Sequence, residues 1–366
     1  MSVWVVVGGQ YGSEGKGKLS AFVTLNEQID ICIRCGGPNS GHSFVGEDGT
    51  NVVLRQLPTG FLRPQTRLLV PAGALVNLEV LLSELERFKL NPGRIGIDRN
   101  AAIIQQIDLT QEAELKLRER ISSTLSGVGA AVARRALRGS DVMLASEAAD
   151  SCPWLRPLIV DVAAEANRAV DQGKNILIEG TQGFGLSLYH SPHYPHVTSR
   201  DTTAAGFLSE VGISPRCVTE IIVVFRTFPI RVAGKQAGCM HDEINWETIQ
   251  RESGYPEPVT EYTTVTGKLR RVSRFDWDLA RSAVTLNRPT SLAVTGLDYL
   301  NCANRGVGHW GELDSNARNF IARVESETGT PVKYCGTGPA LKEMFLAPGA
   351  TGAKIIHAFD SALPTL

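Results

Sequence analysis

The sequence predicts an α/β protein: a central, mostly parallel sheet with flanking helices and small subdomains, opened by a P-loop-like phosphate loop near the N-terminus. Three observations carry that prediction. Val3 to Val7 is an unbroken run of β-favouring residues, too short for a helix and suited to a fully buried strand. Five glycines fall within the next ten residues, and a helical stretch, Leu19 to Leu25, follows them. Farther along, short apolar runs alternate with helical patterns at the spacing of a largely parallel sheet.

The opening stretch also predicts a ligand. A strand, a Gly-rich turn and a helix N-terminus make an anion site, because unpaired N–H groups and the helix dipole point the same way. Lys16 and Lys18 add fixed positive charge. Gly12 to Lys18 satisfies G-x-x-x-x-G-K, but Leu19 stands where a Walker loop has Ser or Thr for magnesium, and the two lysines alternate. The stretch reads as a phosphate cradle.

Composition excludes other classes. With 366 residues, 37 basic against 38 acidic and 43% hydrophobic, the chain has the make-up of an ordinary soluble globular protein. Near-zero net charge argues against a broad nucleic-acid surface. No apolar run approaches the roughly 18 residues of a membrane span, and no basic, cleavable leader opens the chain. Seven cysteines, an odd number spread over a long chain, predict reduced thiols and a cytoplasmic location. Cys32 and Cys35 sit in an apolar run and are expected as buried strand cysteines. His190, His193 and His196 have metal-like spacing, but Pro192 and Pro195 break any helix that could align them.

In chain order, Ile29 to Arg34 predicts a second buried strand, running into the turn-rich Gly36 to Ser43. His42, held by glycines beside the cradle, is a candidate general acid. Strands are expected at 51–56, 68–70, 94–97 and 102–107, with a helix over 78–88 that ends near Asn91-Pro92-Gly93. A small-residue loop, 121–129, leads into a basic amphipathic helix from Ala130. A helix over 155–171 precedes a strand over 175–179, which delivers Gly180-Thr181-Gln182-Gly183 at its C-terminal end, where ligands bind in open α/β sheets. Val218 to Phe225 is a buried strand, and 234–258 reads as a surface excursion. Glu261 to Arg271 is hydroxyl-rich and then basic, which suits carboxylates. A helix over 276–286 and a strand over 291–294 follow, the latter ending in Thr295-Gly296-Leu297-Asp298. One domain is expected over 1–345, with a loosely ordered tail over 346–366.

The string from Gly8 to Lys18 resembles the opening signature of the adenylosuccinate synthetase family, G-G-Q-W-G-D-E-G-K-G-K, with Ser13 in place of the family's Asp. That change resembles a phage-encoded branch that makes 2-aminoadenylosuccinate from dGMP for diaminopurine-containing DNA. Gly36 to Ser43 resembles G-G-x-N-A-G-H-T, which implies His42 as the acid and Gly41 as a backbone contact to magnesium and donor phosphate. The 121–138 stretch resembles T-T-G-R-G-I-G-P-A followed by V-A-R-R-G-L-R. Thr124 then matches the threonine on substrate phosphate, and Arg134 the arginine given across a dimer interface. Gln182 matches the glutamine at the purine, and Thr198, within Tyr194 to Ser199, another phosphate contact. Thr263 to Arg271 resembles the mobile aspartate loop, with Thr264, Val265, Thr266, Gly267 and Arg270 on aspartate, and Lys268 where the family has a ribose-contacting arginine. Thr295 to Asp298 resembles the guanine-reading T-K-L-D with its lysine lost to Gly296, and Cys335 to Pro339 the facing wall.

The resemblance implies a ligase and a homodimer. The γ-phosphate goes to O6 of a purine monophosphate, and aspartate's amine then displaces it. Implied catalytic residues are Ser13, His42, Lys16 and Gln182. The triphosphate falls to Gly12, Glu14, Gly15, Lys16, Gly17, Lys18, Gly41, His42, Ser43, Arg270, Thr295, Gly296, Asp298, Gly336 and Gly338. The purine monophosphate falls to Ser13, Asn39, Thr124, Arg134, Gln182, Thr198 and Lys268. Mg2+ is implied near Ser13 and Gly41, with ATP or dATP, or else GTP, as donor. Three activities follow from the residues: a dGMP ligase, an ordinary synthetase acting on IMP with GTP, and a nucleotide-binding protein without catalysis. Retained Lys16, His42, Gln182 and Arg270 argue against the last.

Overall fold

The computed structural model describes residues 2–46, 48–263 and 267–349. Among them, ten strands share one sheet: β1 (Val3–Gly8), β2 (Ile31–Arg34), β3 (Arg67–Val70), β4 (Ile95–Asp98), β5 (Ile159–Val160), β6 (Ile176–Glu179), β7 (Glu220–Arg226), β8 (Ser291–Thr295), β9 (Val332–Gly336) and β10 (Met344–Leu346). Their spatial order is β10-β9-β8-β7-β1-β6-β2-β3-β4-β5. Only the β9–β10 edge pair is antiparallel.

The longer helices are α1 (Lys16–Asn26), α2 (Leu78–Arg87), α3 (Gln106–Glu114), α4 (Val128–Ala136), α5 (Val162–Asp171), α6 (Ala204–Val211), α7 (Trp246–Ser253), α8 (Trp277–Asn287) and α9 (Ser315–Thr328). They cover both faces of the sheet. Val3, Val5 and Val7 pack with Ala166, Phe207, Ala280 and Ile321 from α5, α6, α8 and α9. Trp4 and Val6 pack the other way, with Leu19 and Phe22 of α1 and Leu81 of α2. Burial on both faces is why β1 reads as a continuous apolar run rather than an alternating one.

Chain order reverses at β1. From there the chain moves outward through β2 to β5, returns to insert β6 beside β1, then builds β7 to β10 on the other side. Such a reversal leaves a crevice beyond the carboxyl ends of the strands.

Several sequence expectations need correction. The helix expected over 155–171 begins only at Val162. Pro157 lacks an N–H and sits in a short 3-10 turn, Arg156–Leu158, that leads into β5, and the Asp161 side chain caps α5 by accepting from the Ala164 N–H at 2.8 Å. The strand expected over 102–107 stops at Ile103, and Gln106 already opens α3. The excursion at 234–258 holds a strand, Glu243–Ile244, and α7. Trp246 and Ile249 are buried there against Phe228, Ile230 and Val272. One i,i+3 apolar pair was too little periodicity to read. β10 crosses the domain boundary expected at 345, and residues 350–366 lie outside the described residues. Cys32 and Cys35 are buried free thiols, as expected. No helix among the described residues is long and apolar enough to cross a membrane.

Candidate active site

The loop after β1 turns through three left-handed residues, Gly12 (φ 89), Ser13 (φ 59) and Gly15 (φ 96), before α1 starts at Lys16. A fully buried carboxylate props it. Glu14 accepts from the backbone N–H of Gln10 (3.1 Å) and Gly12 (2.8 Å) with one oxygen and from Lys16 Nζ (2.6 Å) with the other. From the end of β8, Thr295 Oγ1 donates to the Glu14 carbonyl at 2.7 Å. Lys18 donates to the Gly338 carbonyl, and burial pushes its pKa down to about 8, against the pull of Asp298 and Glu343. A Cβ on Gly17 would stand 2.4 Å from the His42 Cβ, so glycine is what lets α1 meet the His42 segment. Above this loop lies a cavity of about 410 Å³.

His42 starts a small hairpin, His42–Val45 with Asn51–Leu54. Its Nδ1 meets Glu179 Oε1, beside Arg34 Nη1. Glu179 and Arg34 are the last residues of β6 and β2 and are paired in register. Arg34 donates to Glu179 Oε1 at 2.9 Å, while the N–H and hydroxyl of Thr59 donate to Oε2 at 2.9 and 2.7 Å. Burial and the Arg34 guanidinium push the imidazole pKa down to about 3, outweighing the opposite pull of Glu179. Burial alone would raise the Glu179 carboxyl, but His42, Arg34 and Thr59 together hold it below the usual range. The imidazole is therefore neutral, donates its Nδ1–H to the Glu179 carboxylate, and lines the cavity with an Nε2 that has no partner among the described residues. Removing one member of the buried Arg34–Glu179 ion pair costs about 3–5 kcal/mol.

The facing wall is built differently. Arg226, last residue of β7, donates to the Ser13 carbonyl (3.2 Å) and pairs with both oxygens of Glu261 (2.6 and 3.2 Å). Tyr299 donates to Glu261 at 2.8 Å. Arg270 donates Nη1 to the Ser13 hydroxyl and Nε to the Tyr262 carbonyl at 3.0 Å. Asp298 is buried, which raises its pKa despite Tyr255 (2.7 Å) and Arg305 (3.2 Å), both of which donate to its Oδ2.

Most of the expected triphosphate residues meet at this cavity: Glu14 to Lys18, Gly41, His42, Ser43, Arg270, Thr295, Gly296, Asp298 and Gly338 all line it, as does Ser13 from the purine set. Gly12 lies in the turn beneath, and a Cβ on Gly336 would stand 3.2 Å from Lys18 Nζ. Gln182 adopts φ 57 behind the loop, its carbonyl against Gly8. Asn39, Thr124, Arg134 and Thr198 do not line this cavity. Thr124 pairs with Ser126 at 2.9 Å, and Arg134 is held inside its own chain by Asp108 (3.0 and 2.7 Å) and Gln105 (2.5 Å). Lys268 and Gly267 are exposed, and Thr264, Val265 and Thr266 lie outside the described residues. Sequence reading missed Arg34, Glu179, Arg226, Glu261, Tyr299, Tyr255 and Arg305. For three of them a signal existed: Arg34, Glu179 and Arg226 are each a charge that ends an apolar run within its strand. A second cavity, about 430 Å³, lies beside Asp30 and Lys174 and shares none of these residues.

The magnesium expectation at Ser13 does not fit the side chains. Its hydroxyl faces the cation Arg270, a poor neighbour for a metal ligand. Among the described residues no group of three or more His, Cys, Asp or Glu could hold an ion.

The family model for adenylosuccinate synthetase matches residues 5–152 and 142–305. An adenylosuccinate synthetase from Thermococcus onnurineus is 44% identical over 348 residues, covering 94% of this chain and 98% of that one. The chain belongs to the adenylosuccinate synthetase family. It is a nucleotide-dependent carbon–nitrogen ligase acting with aspartate, in a family that uses small-molecule substrates and typically Mg2+. The Thermococcus sibiricus relative is 42% identical over 351 residues, with 94% and 98% coverage. Among solved structures, a cyanophage S-2L succinoaminodeoxyadenylate synthetase bound to dGMP, and to dATP as energy donor, is 28% identical with a TM-score of 0.79 and 95% of both chains covered. A fully ligated adenylosuccinate synthetase from Plasmodium falciparum, at 22% identity, shares the fold, with a TM-score of 0.82 and coverage of 95% and 100%.

Proposed function

We propose that this ligase condenses dGMP with L-aspartate, driven by a nucleoside triphosphate, to give 2-amino-2′-deoxy-N6-succinyladenylate. One observation carries the reading. Where the family's carboxylate takes the proton from purine N1, this chain has Ser13, its hydroxyl engaged by Arg270. A positioned base is worth about 10²–10⁴-fold in rate, so its loss is costly unless the shorter residue gains something. Serine frees space beside the N1–C2 edge. Guanine differs from hypoxanthine there by a 2-amino group, which needs room and an acceptor, and Oγ has a second lone pair to offer. A cyanophage relative of the same fold, 28% identical, is bound to dGMP, so the fold can host that nucleotide. Lys268, in place of a ribose-contacting arginine, is compatible with a deoxyribose.

In this reading Lys16 and Lys18 hold the donor phosphates and Arg270 takes aspartate's carboxylates. His42 meets the transferring phosphoryl group through Nε2, and the charge of a bound triphosphate opposes burial and Arg34, so protonation of Nε2 is coupled to donor binding. Magnesium typical of the family would neutralise phosphate charge. The donor is ATP or dATP. To read guanine, a carboxylate accepts N1–H and N2–H with its two oxygens, and Oδ2 of Asp298 already serves Tyr255 and Arg305. Gly296, at φ 71, would also strain the lysine that the family carries there. The reading includes a homodimer, for which Arg134 would exchange Asp108 and Gln105 for a neighbour's substrate.

The second reading is an ordinary synthetase acting on IMP with GTP, favoured by the identity to archaeal relatives of that name. Turnover with IMP, GMP and dGMP in parallel, at saturating aspartate, separates the two. Faster turnover of IMP than of dGMP would overturn the proposal, and a strict GTP requirement would overturn its donor.

A further inference from the structure

Ser13 is gripped from two sides. Arg270 donates Nη1 to its hydroxyl oxygen, and Arg226 donates to its carbonyl at 3.2 Å, while the residue itself holds φ 59. Arg226 also carries Glu261, whose carbonyl accepts from the Arg270 N–H at 2.8 Å. The hairpin that bears Arg270 is thereby tied to the turn that bears Ser13. Among the described residues, each carboxylate that lines this cavity is already paired. Glu14 is bonded to Lys16, Glu261 to Arg226 and Tyr299, and Asp298 to Tyr255 and Arg305.

A hydroxyl has one proton and two lone pairs. With a guanidinium donating to one lone pair, the Ser13 proton points away from Arg270 and is polarised by it. The group therefore meets a purine edge as a charge-assisted donor, the reverse of the role a carboxylate plays there. A donor suits N1 only after N1 has lost its proton.

We propose that Ser13 and Arg270 stabilise the N1-deprotonated form of the bound 6-oxopurine, replacing a general base with a preorganised donor. The proposal rests on the reading above for where the purine lies. The N1 proton leaves to solvent water, and the electron pair delocalises over N1 and O6. O6 then attacks the γ-phosphorus, forming the O6–P bond as the bond from γ-phosphorus to the bridging oxygen breaks and the nucleoside diphosphate leaves. Ser13 and Arg270 are catalytic residues in this step, and Arg226 with Glu261 are positioning residues.

The test is a pH profile of Ser13→Gly, which removes the hydroxyl yet suits the left-handed backbone, with Ser13→Ala as a second variant. Loss of one such donor should lower kcat by about 10²–10³-fold at neutral pH. The deficit should then shrink as pH rises toward the nucleotide's own N1 ionisation, where the free purine is already an anion. Ultraviolet difference spectra should show the N1 anion on the wild-type protein at a pH where free nucleotide is neutral, and not on either variant. Deficits equal at every pH, or no anion on the wild type, would overturn the proposal. Profiles are run with dGMP and with IMP, so a preference for IMP sinks the substrate reading while the pH signature still judges this one.

Discussion

The two walls of the cavity are made by opposite means. The inner wall, from the β1–α1 loop to His42 and Glu179, stands on the carboxyl ends of adjacent strands, and Glu14, Lys16, Arg34, His42 and Glu179 are each 5% exposed or less. The outer wall starts at Arg226, the buried end of β7, but past it is carried by a hairpin and 3-10 turns, with Arg305 45% exposed at its side chain. Buried charges that are paired and hydrogen-bonded hold one geometry, because every departure leaves an unpaired charge. Exposed loops can accept substitution at little stability cost. On the inner wall and its rim the chain differs from the signatures it resembles at Tyr11, Ser13, Ser40 and Ser43. Gly296 differs on the outer wall, and Lys268 on the exposed hairpin beyond it. In the proposed reading, phosphoryl chemistry falls to the inner wall, the choice of purine to Ser13 at its rim, and the aspartate contact to the outer wall.

The largest expected effect breaks the inner wall outright. Lys16→Ala should lower turnover at least about 10³-fold and weaken triphosphate binding. Because Glu14 is left buried without its cation, a melting curve belongs beside the assay. Full triphosphate affinity and turnover in that variant would misplace the cradle.

Next comes Glu179→Gln, which keeps the shape but removes the charge that accepts the His42 Nδ1–H. A fall in kcat of about 10²-fold, with triphosphate affinity retained, would sharpen the contrast. Unchanged kcat would reduce the Arg34–Glu179–His42 cluster to scaffolding.

On the outer wall, Arg270→Leu should raise the KM for aspartate about 10–100-fold, the worth of a hydrogen bond to a charged group, and also lower kcat through the lost donor to Ser13, while calorimetric binding of both nucleotides persists. Equal loss of nucleotide and aspartate binding would make the hairpin structural and blur the two walls.

The smallest effect lies where the walls touch, at Lys18. Its pKa near 8 in the folded protein is below its ordinary value, so the free protein loses this cation as pH rises through about 8. Triphosphate affinity should weaken several-fold across that pH, and Lys18→Met should be weaker throughout with no such step. The sign for stability is opposite. A lysine depressed on folding binds fewer protons in the native than in the unfolded state between about 8 and its ordinary value, so its cost to the fold is fully present below about 8 and is relieved above it.

Much of this was legible in residue order. The run Val3 to Val7, the glycines after it and the lysines at 16 and 18 are local facts, and local sterics with hydrophobic burial turn them into strand, turn and helix N-terminus without help from the rest of the chain. The same holds for the identity of position 13, on which the substrate reading turns. Tertiary structure alone decided the partnerships. Nothing in the spacing of Arg34, His42 and Glu179 says that β6 inserts beside β2 and brings two strand-end charges into register beneath an imidazole. Nothing in residues 226, 261 and 299 says that they meet over Ser13. The physical reason is that backbone propensity acts over a few residues, whereas a buried charge takes whichever partner the topology brings within about 3 Å. Sequence wrote the residues that can do the chemistry, and the sheet order chose which of them face each other.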